Sequence, residues 1–308
     1  MDGKRYNTLN RELKRIFGEK VMKLSLDGGF TCPNRDGTLG TRGCIFCSEE
    51  GSGEFAGSRF ISIKEQVEQQ KRLLSNKWNA NKYIAYFQNF TNTYGPIEQM
   101  KKVYNEALEI ENIVGLAIAT RPDCINDEVL ELLESLNKRT FLWLELGLQS
   151  IHDRSEKFIR RGYPLRIYEK AVEELKKRNI KVVTHLIVGL PNEDKDDILS
   201  SVDYVAQTNT WGIKLHSLYI QKGTDIYNYY INNPYKMLTK EEYVDIIVDA
   251  IELLPGNMIV HRVTGDAKKE ILYEPKWSAD KLGVISSIDK ELKVRKGFQG
   301  QKYLQEKV

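Results

Sequence analysis

Three of the four cysteines lie together in one short segment. Cys32, Cys44 and Cys47 belong to the stretch Cys-Pro-Asn-Arg-Asp-Gly-Thr-Leu-Gly-Thr-Arg-Gly-Cys-Ile-Phe-Cys, which follows an apolar run. Three thiolates so close together can hold three irons of a [4Fe-4S] cluster and leave the fourth iron without a protein ligand. An open iron can bind a further molecule, so this spacing indicates chemistry as well as electron storage.

Other uses of the cysteines fit the spacing less well. A closed structural zinc site needs four protein ligands, but Cys124 is far along the chain and the histidines show no zinc-finger spacing. These histidines are His152, His185, His216 and His261. A disulfide framework is typical of small secreted domains, whereas this chain has 308 residues and only four cysteines. A Cys3His zinc site and ordinary buried thiols stay open as alternatives.

The composition is that of a cytoplasmic enzyme without a membrane segment. The chain is 41% hydrophobic and 29% charged, and it contains no apolar run long enough to cross a bilayer. A net charge of +3 does not by itself indicate a nucleic-acid partner. The C-terminal stretch is locally basic, although such a run is usually a solvated helix face. Its basic residues are Lys290, Lys293, Arg295, Lys296, Lys302 and Lys307.

Six apolar runs predict six strands, and a helical pattern separates each strand from the next. The strands are predicted at Val21 to Leu26, Tyr83 to Phe87, Gly115 to Ala119, Phe141 to Leu148, Val182 to Val188 and Ile213 to Ile220. Thr239 and Glu242 form a capping box ahead of the last long helical pattern. This alternation of strand and helix is typical of a parallel sheet in an α/β protein.

The fourth predicted strand favours a barrel over an open sheet. Its leucines at 142, 144, 146 and 148 share one face, while Trp143, Glu145, Gly147 and Gln149 share the other. A strand covered by helices on both faces would be apolar throughout. We therefore predict a partial (β/α)6 TIM-like barrel whose site lies at the carboxyl ends of the strands. An inward Glu145 held only by structural hydrogen bonds is the alternative.

The barrel is predicted over residues 21–255. Residues 1–20 precede it, with a short helix around Leu9 to Phe17. Residues 256–308 are expected to form a C-terminal extension packed on the barrel. We expect this extension to begin with an irregular segment and to continue as a helix from Ala279 to Leu292.

The cysteine loop after the first strand, Phe46 before the last cysteine and the barrel pattern resemble the radical S-adenosylmethionine (radical SAM) superfamily. Its common spacing is CxxxCxΦC with an aromatic Φ; here the CxΦC half is kept and the first gap is eleven residues. The long gap, the Thr-Arg-Pro-Asp-Cys segment ending at Cys124 and the segment Glu145 to Ser150 are similar to the catalytic radical domain of Elongator-type tRNA enzymes. The short bacterial YtqA/YhcC-type family resembles nearly the whole chain.

The resemblance implies two cofactors. Cys32, Cys44 and Cys47 would hold a [4Fe-4S] cluster, and the open iron would bind S-adenosyl-L-methionine (SAM). Such enzymes use this pair to generate a 5′-deoxyadenosyl radical that takes hydrogen from an unactivated carbon. An electron donor such as flavodoxin or ferredoxin is implied as a partner. Cys124 is then expected to be a non-ligand, either a packed thiol or one that faces the substrate.

The resemblance also assigns residues to the SAM site by position. After the second strand, where the superfamily usually carries a Gly-Gly-Glu-like segment, this chain has Gln88 and Thr91 in a stretch that is also ordinary turn material. Glu145 and Gln149 on the fourth strand are implied contacts for the ribose or the methionine end. The segment Val-Gly-Leu-Pro resembles GxIxGxxP. It places Gly189 and Pro191 beside the adenine.

Four residues are candidates for the catalytic and substrate side. Arg121 follows the third strand, and its planar fork suits a carboxylate or phosphate; a salt bridge with Asp123 is the alternative. Lys214 and His216 alternate along the sixth strand and would share the cavity, or else form fixed polar links. Arg262, in the extension, is a candidate substrate contact.

The resemblance implies an enzyme that modifies the C5 side chain of wobble uridine in tRNA. Elongator-type enzymes carry a separate acetyltransferase domain, for which we expect no room here, whereas the short family is associated with remodelling an existing side chain. The specific expectation is conversion of carboxymethylaminomethyluridine to aminomethyluridine. Tyr94, Tyr219, Trp277 and the basic C-terminal stretch are candidate RNA contacts. A radical enzyme acting on a peptide or small metabolite, and a zinc-dependent RNA-binding module, are the alternatives.

Overall fold

The computed structural model describes residues 3–51, 55–75 and 80–305. Across them, seven parallel strands form one curled sheet in the order β1-β2-β3-β4-β5-β6-β8, and β7 pairs antiparallel with β9. The strands are β1 (Val21–Leu26), β2 (Lys82–Phe87), β3 (Ile113–Thr120), β4 (Phe141–Gln149), β5 (Lys181–Val188), β6 (Gly212–Ser217), β7 (Ile220–Gln221), β8 (Ile259–Arg262) and β9 (Leu272–Glu274). The predicted α/β partial barrel is confirmed.

The sixth and seventh strands of the sheet differ from the prediction. The run from Ile213 to Ile220 does not form one strand: β6 ends at Ser217, and Leu218 donates its backbone N–H to Val188 O at 2.9 Å before β7 begins. β8 comes from the segment predicted to be irregular, and it pairs parallel to β6. The four residues of this strand, Ile-Val-His-Arg, do not alternate between apolar and polar, so the sequence pattern did not reveal it.

Most of the eleven helices described connect consecutive strands. They are α1 (Leu9–Phe17), α2 (Ile63–Ser75), α3 (Ile97–Leu108), α4 (Asp127–Asn137), α5 (Asp153–Ile159), α6 (Leu165–Lys177), α7 (Lys195–Gln207), α8 (Asp225–Asn232), α9 (Lys240–Leu253), α10 (Lys281–Val294) and α11 (Gln301–Gln305). The predicted capping box of α9 is confirmed, because Glu242 N donates to Thr239 Oγ1 at 3.1 Å and Thr239 N donates to Glu242 Oε2 at 2.9 Å. None of the helices within the described ranges is long and apolar enough to cross a membrane.

The two faces of β4 show how the sheet divides the molecule. The four leucines of β4 are fully buried in the large apolar core between the sheet and its helices. On the opposite face, Trp143 belongs to a second apolar cluster with Leu9 and Leu13 of α1 and Ile259 of β8. α1 therefore packs on the amino-terminal end of the sheet's inner face, and the polar residues above Trp143 are directed toward the carboxyl ends of the strands.

The basic C-terminal stretch is partly engaged in ion pairs within the fold. Arg295 contacts Asp245 at 2.5 Å and Asp249 at 3.2 Å on α9, and Lys302 contacts Asp249 at 2.6 Å. Lys195 of α7 joins the same two carboxylates. The others, Lys290, Lys293 and Lys296, are exposed, and Lys307 lies outside the described residues. The ion pairs of Arg295 and Lys302 thus connect the C-terminal helices α10 and α11 to α9.

Candidate functional site

A single cavity of about 310 Å³ opens at the carboxyl ends of the strands and collects most of the residues chosen from the sequence. Twelve of the fourteen line it: Cys32, Cys44, Phe46, Cys47, Gln88, Thr91, Arg121, Glu145, Gln149, Lys214, His216 and Arg262. The other two, Gly189 and Pro191, follow β5 outside this lining, and Gly189 lines a small neighbouring cleft with Leu238 and Trp277.

Backbone turns and one buried amide shape the cysteine loop, which follows β1. Cys32 O accepts backbone hydrogen bonds from Arg35 at 2.8 Å and Asp36 at 3.2 Å, and Cys47 N donates to Cys44 O at 3.0 Å. The buried Asn34 amide donates to Cys44 Sγ at 3.4 Å and to Arg160 O at 2.8 Å. Asn34 therefore ties the loop to the end of α5.

Cys44 and Cys124 have opposite electrostatic environments. A hydrogen bond from Cys47, the charge of Arg121 and the Asn34 amide together lower the pKa of Cys44 to about 6, although burial alone would raise it. Cys124 lies outside the cavity lining, and burial together with the charge of Asp123 raises the pKa of its thiol. The surroundings of Cys44 thus favour its thiolate, which is the form of cysteine that binds iron.

The three loop thiols are compatible with a [4Fe-4S] cluster. Within residues 3–51, 55–75 and 80–305, no three His, Cys, Asp or Glu side chains are grouped closely enough to hold one metal ion. A [4Fe-4S] cluster binds each cysteine thiolate through a different iron, so its ligands need not converge on one point. All three thiols nevertheless line the same cavity, and the donor set fits a cluster with three protein ligands.

The segment after β2 is held firmly between its neighbouring strands. Thr91 is buried and donates its backbone N–H to Thr31 O at 3.1 Å. The Asn92 amide donates to Phe87 O at 3.1 Å and to Ala119 O at 2.8 Å. These bonds position Gln88 and Thr91 on the cavity wall beside the cysteine loop, so the stretch is a fixed part of the site.

Glu145 is the centre of a buried polar layer beneath the cavity. Its Oε2 accepts hydrogen bonds from Tyr86 Oη at 2.7 Å, from His185 Nε2 at 3.0 Å and from Lys214 Nζ. Its Oε1 accepts one from Trp143 Nε1 at 3.0 Å. Both carboxylate oxygens therefore accept hydrogen bonds from the protein, which agrees with the alternative that Glu145 is held by structural hydrogen bonds. Glu145 also lines the cavity.

The charges in this layer determine its protonation. Burial alone would raise the pKa of Glu145, but Lys214, Lys23 and the His185 hydrogen bond hold it well below its usual range. Lys23 Nζ lies 3.9 Å from Glu145 Oε1. Burial, together with Lys23 and Arg262, lowers the pKa of Lys214 well below its usual range. Glu145 is thus held as an anion, with Lys214 the nearer of its two lysine neighbours.

Two histidines face the same layer in their neutral form. Burial and the charge of Lys214 lower the pKa of His185 to about 4. Burial and the charge of Arg262 lower the pKa of His216 to about 3, and His216 Nδ1 lies 3.0 Å from Ser217 O. A neutral imidazole can accept or donate a proton through one nitrogen at a time.

An aromatic ring close to two arginines forms the wall near β4. Tyr163 lies 5.0 Å from the Arg121 guanidinium and 4.8 Å from that of Arg161, measured to the ring centre. Arg121 also forms a bidentate pair with Asp123 at 2.9 and 2.8 Å, which is the salt bridge considered from the sequence. Gly147 leaves room for Gln149, because a Cβ there would lie 2.8 Å from its Nε2.

The opposite wall consists of residues from β6 to β8. Lys214 and Arg262 are register partners on β6 and β8, and both line the cavity. Arg262 reaches Asp266 at 3.7 Å, while Lys281 binds the same carboxylate at 2.6 Å. Gln221 of β7 is 2% exposed and also lines the cavity.

Several lining residues were missed in the sequence. The alternation along β2 and β5 would have identified Tyr86 and His185 as inward-facing, by the reasoning used for β4. Arg161 donates to Leu148 O at 2.6 Å and to Ser150 O at 2.7 Å. No local pattern predicts its place or that of Gln221, because both depend on how distant segments pack.

The candidate RNA contacts occupy different environments. Tyr219 lines the cavity, with its ring 5.5 Å from that of His216. Tyr94 is half-buried, and its hydroxyl lies 2.8 Å from Thr38 Oγ1. The Trp277 indole donates to Leu238 O at 2.9 Å and packs on the ring of Tyr243, which gives it a structural role.

Family models match most of the chain. The model of the radical SAM superfamily matches residues 37–205, and the model of the Radical_SAM C-terminal domain matches residues 210–294. The first match includes Cys44, Cys47 and strands β2 to β5, and the second includes β6 to β9. The residues that line the cavity therefore lie largely within the matched regions.

Individual proteins are similar over different lengths. The uncharacterized protein YtqA of Bacillus subtilis is 45% identical over 298 residues, covering 97% of this chain and 92% of the relative. A tRNA uridine(34) acetyltransferase of Methanocaldococcus jannaschii is 27% identical over 186 residues, covering 58% and 32%. The structure of the archaeal Methanocaldococcus infernus Elp3 with an N-terminal deletion has a TM-score of 0.68 at 16% identity, covering 94% and 68%, which shows a shared fold.

Proposed function

Because this chain belongs to the radical SAM superfamily, we propose that it remodels the C5 side chain of the wobble uridine of tRNA. The specific reaction is conversion of carboxymethylaminomethyluridine to aminomethyluridine. A relative that is 27% identical over 58% of this chain carries the name tRNA uridine(34) acetyltransferase, which supports uridine in tRNA as the substrate class. The radical alternative, a peptide or small metabolite, would use the same cofactors.

One observation supports this reaction above others. A single cavity contains the three-thiol loop near β1 and a wall rich in hydrogen-bond donors on β6 to β8. The substrate side chain has a C–H bond next to its nitrogen and ends in a carboxylate. The C–H bond would lie near the cysteine loop, where the radical is generated, and the carboxylate would bind the donor-rich wall. The cavity therefore has a place for both ends of the side chain.

Each residue selected from the sequence has a proposed role. Cys32, Cys44 and Cys47 hold the cluster, and Phe46 shields it. Gln88, Thr91 and Gln149 would hydrogen-bond SAM, and Glu145 would keep that wall in place through its own four hydrogen bonds. We assign the adenine end to the backbone near Gly189 and Pro191. Arg121, Lys214, His216 and Arg262 would orient the substrate.

When bound, the cluster and SAM supply a 5′-deoxyadenosyl radical that takes a hydrogen atom from carbon. The protein's own task is to bring the carbon next to the side-chain nitrogen to that position and to exclude water. Loss of this hydrogen atom would leave a radical on that carbon. The neutral His216 would exchange a proton with the substrate amine. A flavodoxin or ferredoxin would provide the electron.

Mass spectrometry of tRNA nucleosides tests the proposal. Cells that lack the protein should accumulate carboxymethylaminomethyluridine and lose aminomethyluridine and its products. Re-expression of the wild-type chain or of Cys124→Ala should restore the normal pattern, whereas Cys44→Ala should not. Unchanged wobble uridines in the deficient cells would exclude tRNA as the substrate and favour the peptide or metabolite alternative.

A further inference from the structure

The cavity lining carries more cationic than anionic side chains. Two carboxylates, those of Glu145 and Asp266, line it. The five cationic side chains are those of Arg35, Arg121, Arg161, Lys214 and Arg262. Arg121 is paired with Asp123 and Lys214 with Glu145, whereas Arg262 has only the distant carboxylate of Asp266. A cation that its own protein pairs only loosely can bind an anionic ligand, and Arg262 is therefore the lining cation to consider.

Arg262 is only weakly engaged by the protein. Its guanidinium lies 3.7 Å from Asp266 Oδ2, beyond ordinary hydrogen-bond length. That carboxylate already accepts a hydrogen bond from Lys281 at 2.6 Å. About a quarter of the Arg262 side chain is exposed, on the wall of the cavity. Its planar fork therefore retains donors that can bind a carboxylate in bidentate fashion.

Gln221 supplies an independent observation at the same wall. It is 2% exposed, and its Nε2 has no hydrogen-bond partner among the residues that the structure describes. A buried donor without an acceptor is costly, so such groups in native proteins usually meet a ligand or water. Gln221 lines the cavity together with Arg262 and Lys214. Lys214 already donates to Glu145 and Tyr86, so Arg262 and Gln221 carry the donors that the described residues leave unused.

We propose that Arg262, Lys214 and Gln221 form a carboxylate subsite that recognises the carboxymethyl end of the substrate side chain. This assignment rests on the proposed function and identifies which part of the substrate the protein recognises. The thiol loop follows β1 and the subsite lies on β6 to β8, at opposite edges of the sheet order. The amino-acid end of SAM belongs at the thiol loop, so the subsite is left for the substrate. The product lacks the carboxymethyl group, so it has no carboxylate that the subsite could bind.

Equilibrium binding tests the subsite without relying on turnover. The probes are anticodon stem-loop RNAs that differ only at the wobble uridine, which carries carboxymethylaminomethyl, the corresponding carboxamide, or aminomethyl. The cluster-loaded protein with SAM, kept without reductant, should bind the carboxylate RNA about tenfold more tightly than the carboxamide RNA, equivalent to about 1.4 kcal/mol. Arg262→Gln should remove this preference. Arg166→Gln, at an exposed position of α6, should retain it.

A second variant replaces the neighbouring neutral donor by a negative charge. Gln221→Glu places a carboxylate where the substrate carboxylate would lie, so it should shift the preference toward the aminomethyl RNA. This change of sign distinguishes a direct role from general damage to the fold, which would weaken all three RNAs equally. SAM affinity, measured separately, should be the same in wild type and Arg262→Gln.

Each outcome decides one point. Equal binding of the carboxylate and carboxamide RNAs by wild type would overturn the subsite, as would an unchanged preference in Arg262→Gln. Loss of SAM affinity in Arg262→Gln with the RNA preference intact would assign the donors to the cofactor's own carboxylate and overturn the proposal. Wild type that prefers the carboxylate RNA but never converts it on reduction would refute the proposed reaction and leave the subsite standing.

Discussion

Replacing Glu145 by glutamine tests the buried polar layer. The carboxylate accepts hydrogen bonds from Tyr86, Trp143, His185 and Lys214, and it is fully buried. An amide of the same shape keeps one acceptor but turns an N–H group toward these donors, and it leaves Lys214 without its counter-charge. Breaking a buried ion pair in this way costs about 3 kcal/mol or more of unfolding free energy.

The expected change in melting temperature follows from the size of the chain. With an unfolding entropy of about 2.1 cal/mol/K per residue, 308 residues give roughly 650 cal/mol/K. A loss of about 3 kcal/mol then lowers the melting temperature by about 5 °C. Calorimetry of the anaerobically reconstituted protein measures this shift. Iron content before heating verifies that wild type and Glu145→Gln carry the same cluster.

A double-mutant cycle isolates the pair itself. Lys214→Met alone leaves the Glu145 charge buried, so it should also destabilise the protein, whereas the double variant Glu145→Gln/Lys214→Met should lose clearly less than the sum of the two. Glu98→Gln is the surface control, because Glu98 pairs with Lys101 in solvent and its loss should leave the melting temperature unchanged. Additive single effects, or a Glu145→Gln shift of less than about 1 °C, would refute the reasoning.

Three further predictions concern the cluster, the histidines and the β4 wall. Replacing any one of the three loop cysteines by alanine should abolish cluster assembly, whereas Cys124→Ala should keep full iron and sulfide content; full iron loading of a loop variant would contradict the ligand assignment. The pKa values of His185 (about 4) and His216 (about 3) lie below the unfolded value near 6.5. The unfolded chain therefore binds more protons in this range, and unfolding free energy should fall as pH drops from about 6.5 toward 4. Thermal melts between pH 7 and 5 measure this fall, and His185→Gln should make it shallower. Gly147→Ala should displace Gln149, whose Nε2 lies 2.8 Å from the added Cβ, and should weaken SAM binding in equilibrium titrations while iron content is kept.

Strand alternation allowed much of the site to be predicted from the sequence. Glu145, Gln149, Lys214 and His216 were assigned to the inner face because side chains alternate along a strand regardless of tertiary context. All four line the cavity. The superfamily was predicted from the resemblance of the cysteine loop, Phe46 and the barrel pattern, and the family match over residues 37–205 confirms it.

Pairing between distant segments could not be predicted in the same way. Glu145 accepts hydrogen bonds from four other side chains, and these donors lie up to 69 residues away in sequence. Their approach to Glu145 depends on the tertiary fold, so the sequence alone does not show whether Glu145 binds the protein or a ligand. The register shift between Ile213 and Lys214 places Lys214 opposite Arg262 on β8. Such a bulge breaks the period of two on which sequence reasoning depends. For the same reason Arg262 was chosen only as an isolated arginine in an irregular segment.

The curl of the sheet is what allows its two edges to act on one ligand. Neighbouring strands lie about 4.8 Å apart, so in a flat sheet of seven strands the outer two would be roughly 29 Å from each other. No substrate side chain spans that distance. Cys32, in the loop after β1, and Arg262, on β8, nevertheless line the same cavity of about 310 Å³. The inner cluster of Ile84, Trp143 and Ile259 packs against α1 at the amino-terminal end, and this packing holds the strands in the curled arrangement. Substitutions that loosen α1 should therefore separate the subsite from the thiol loop before they unfold the outer core.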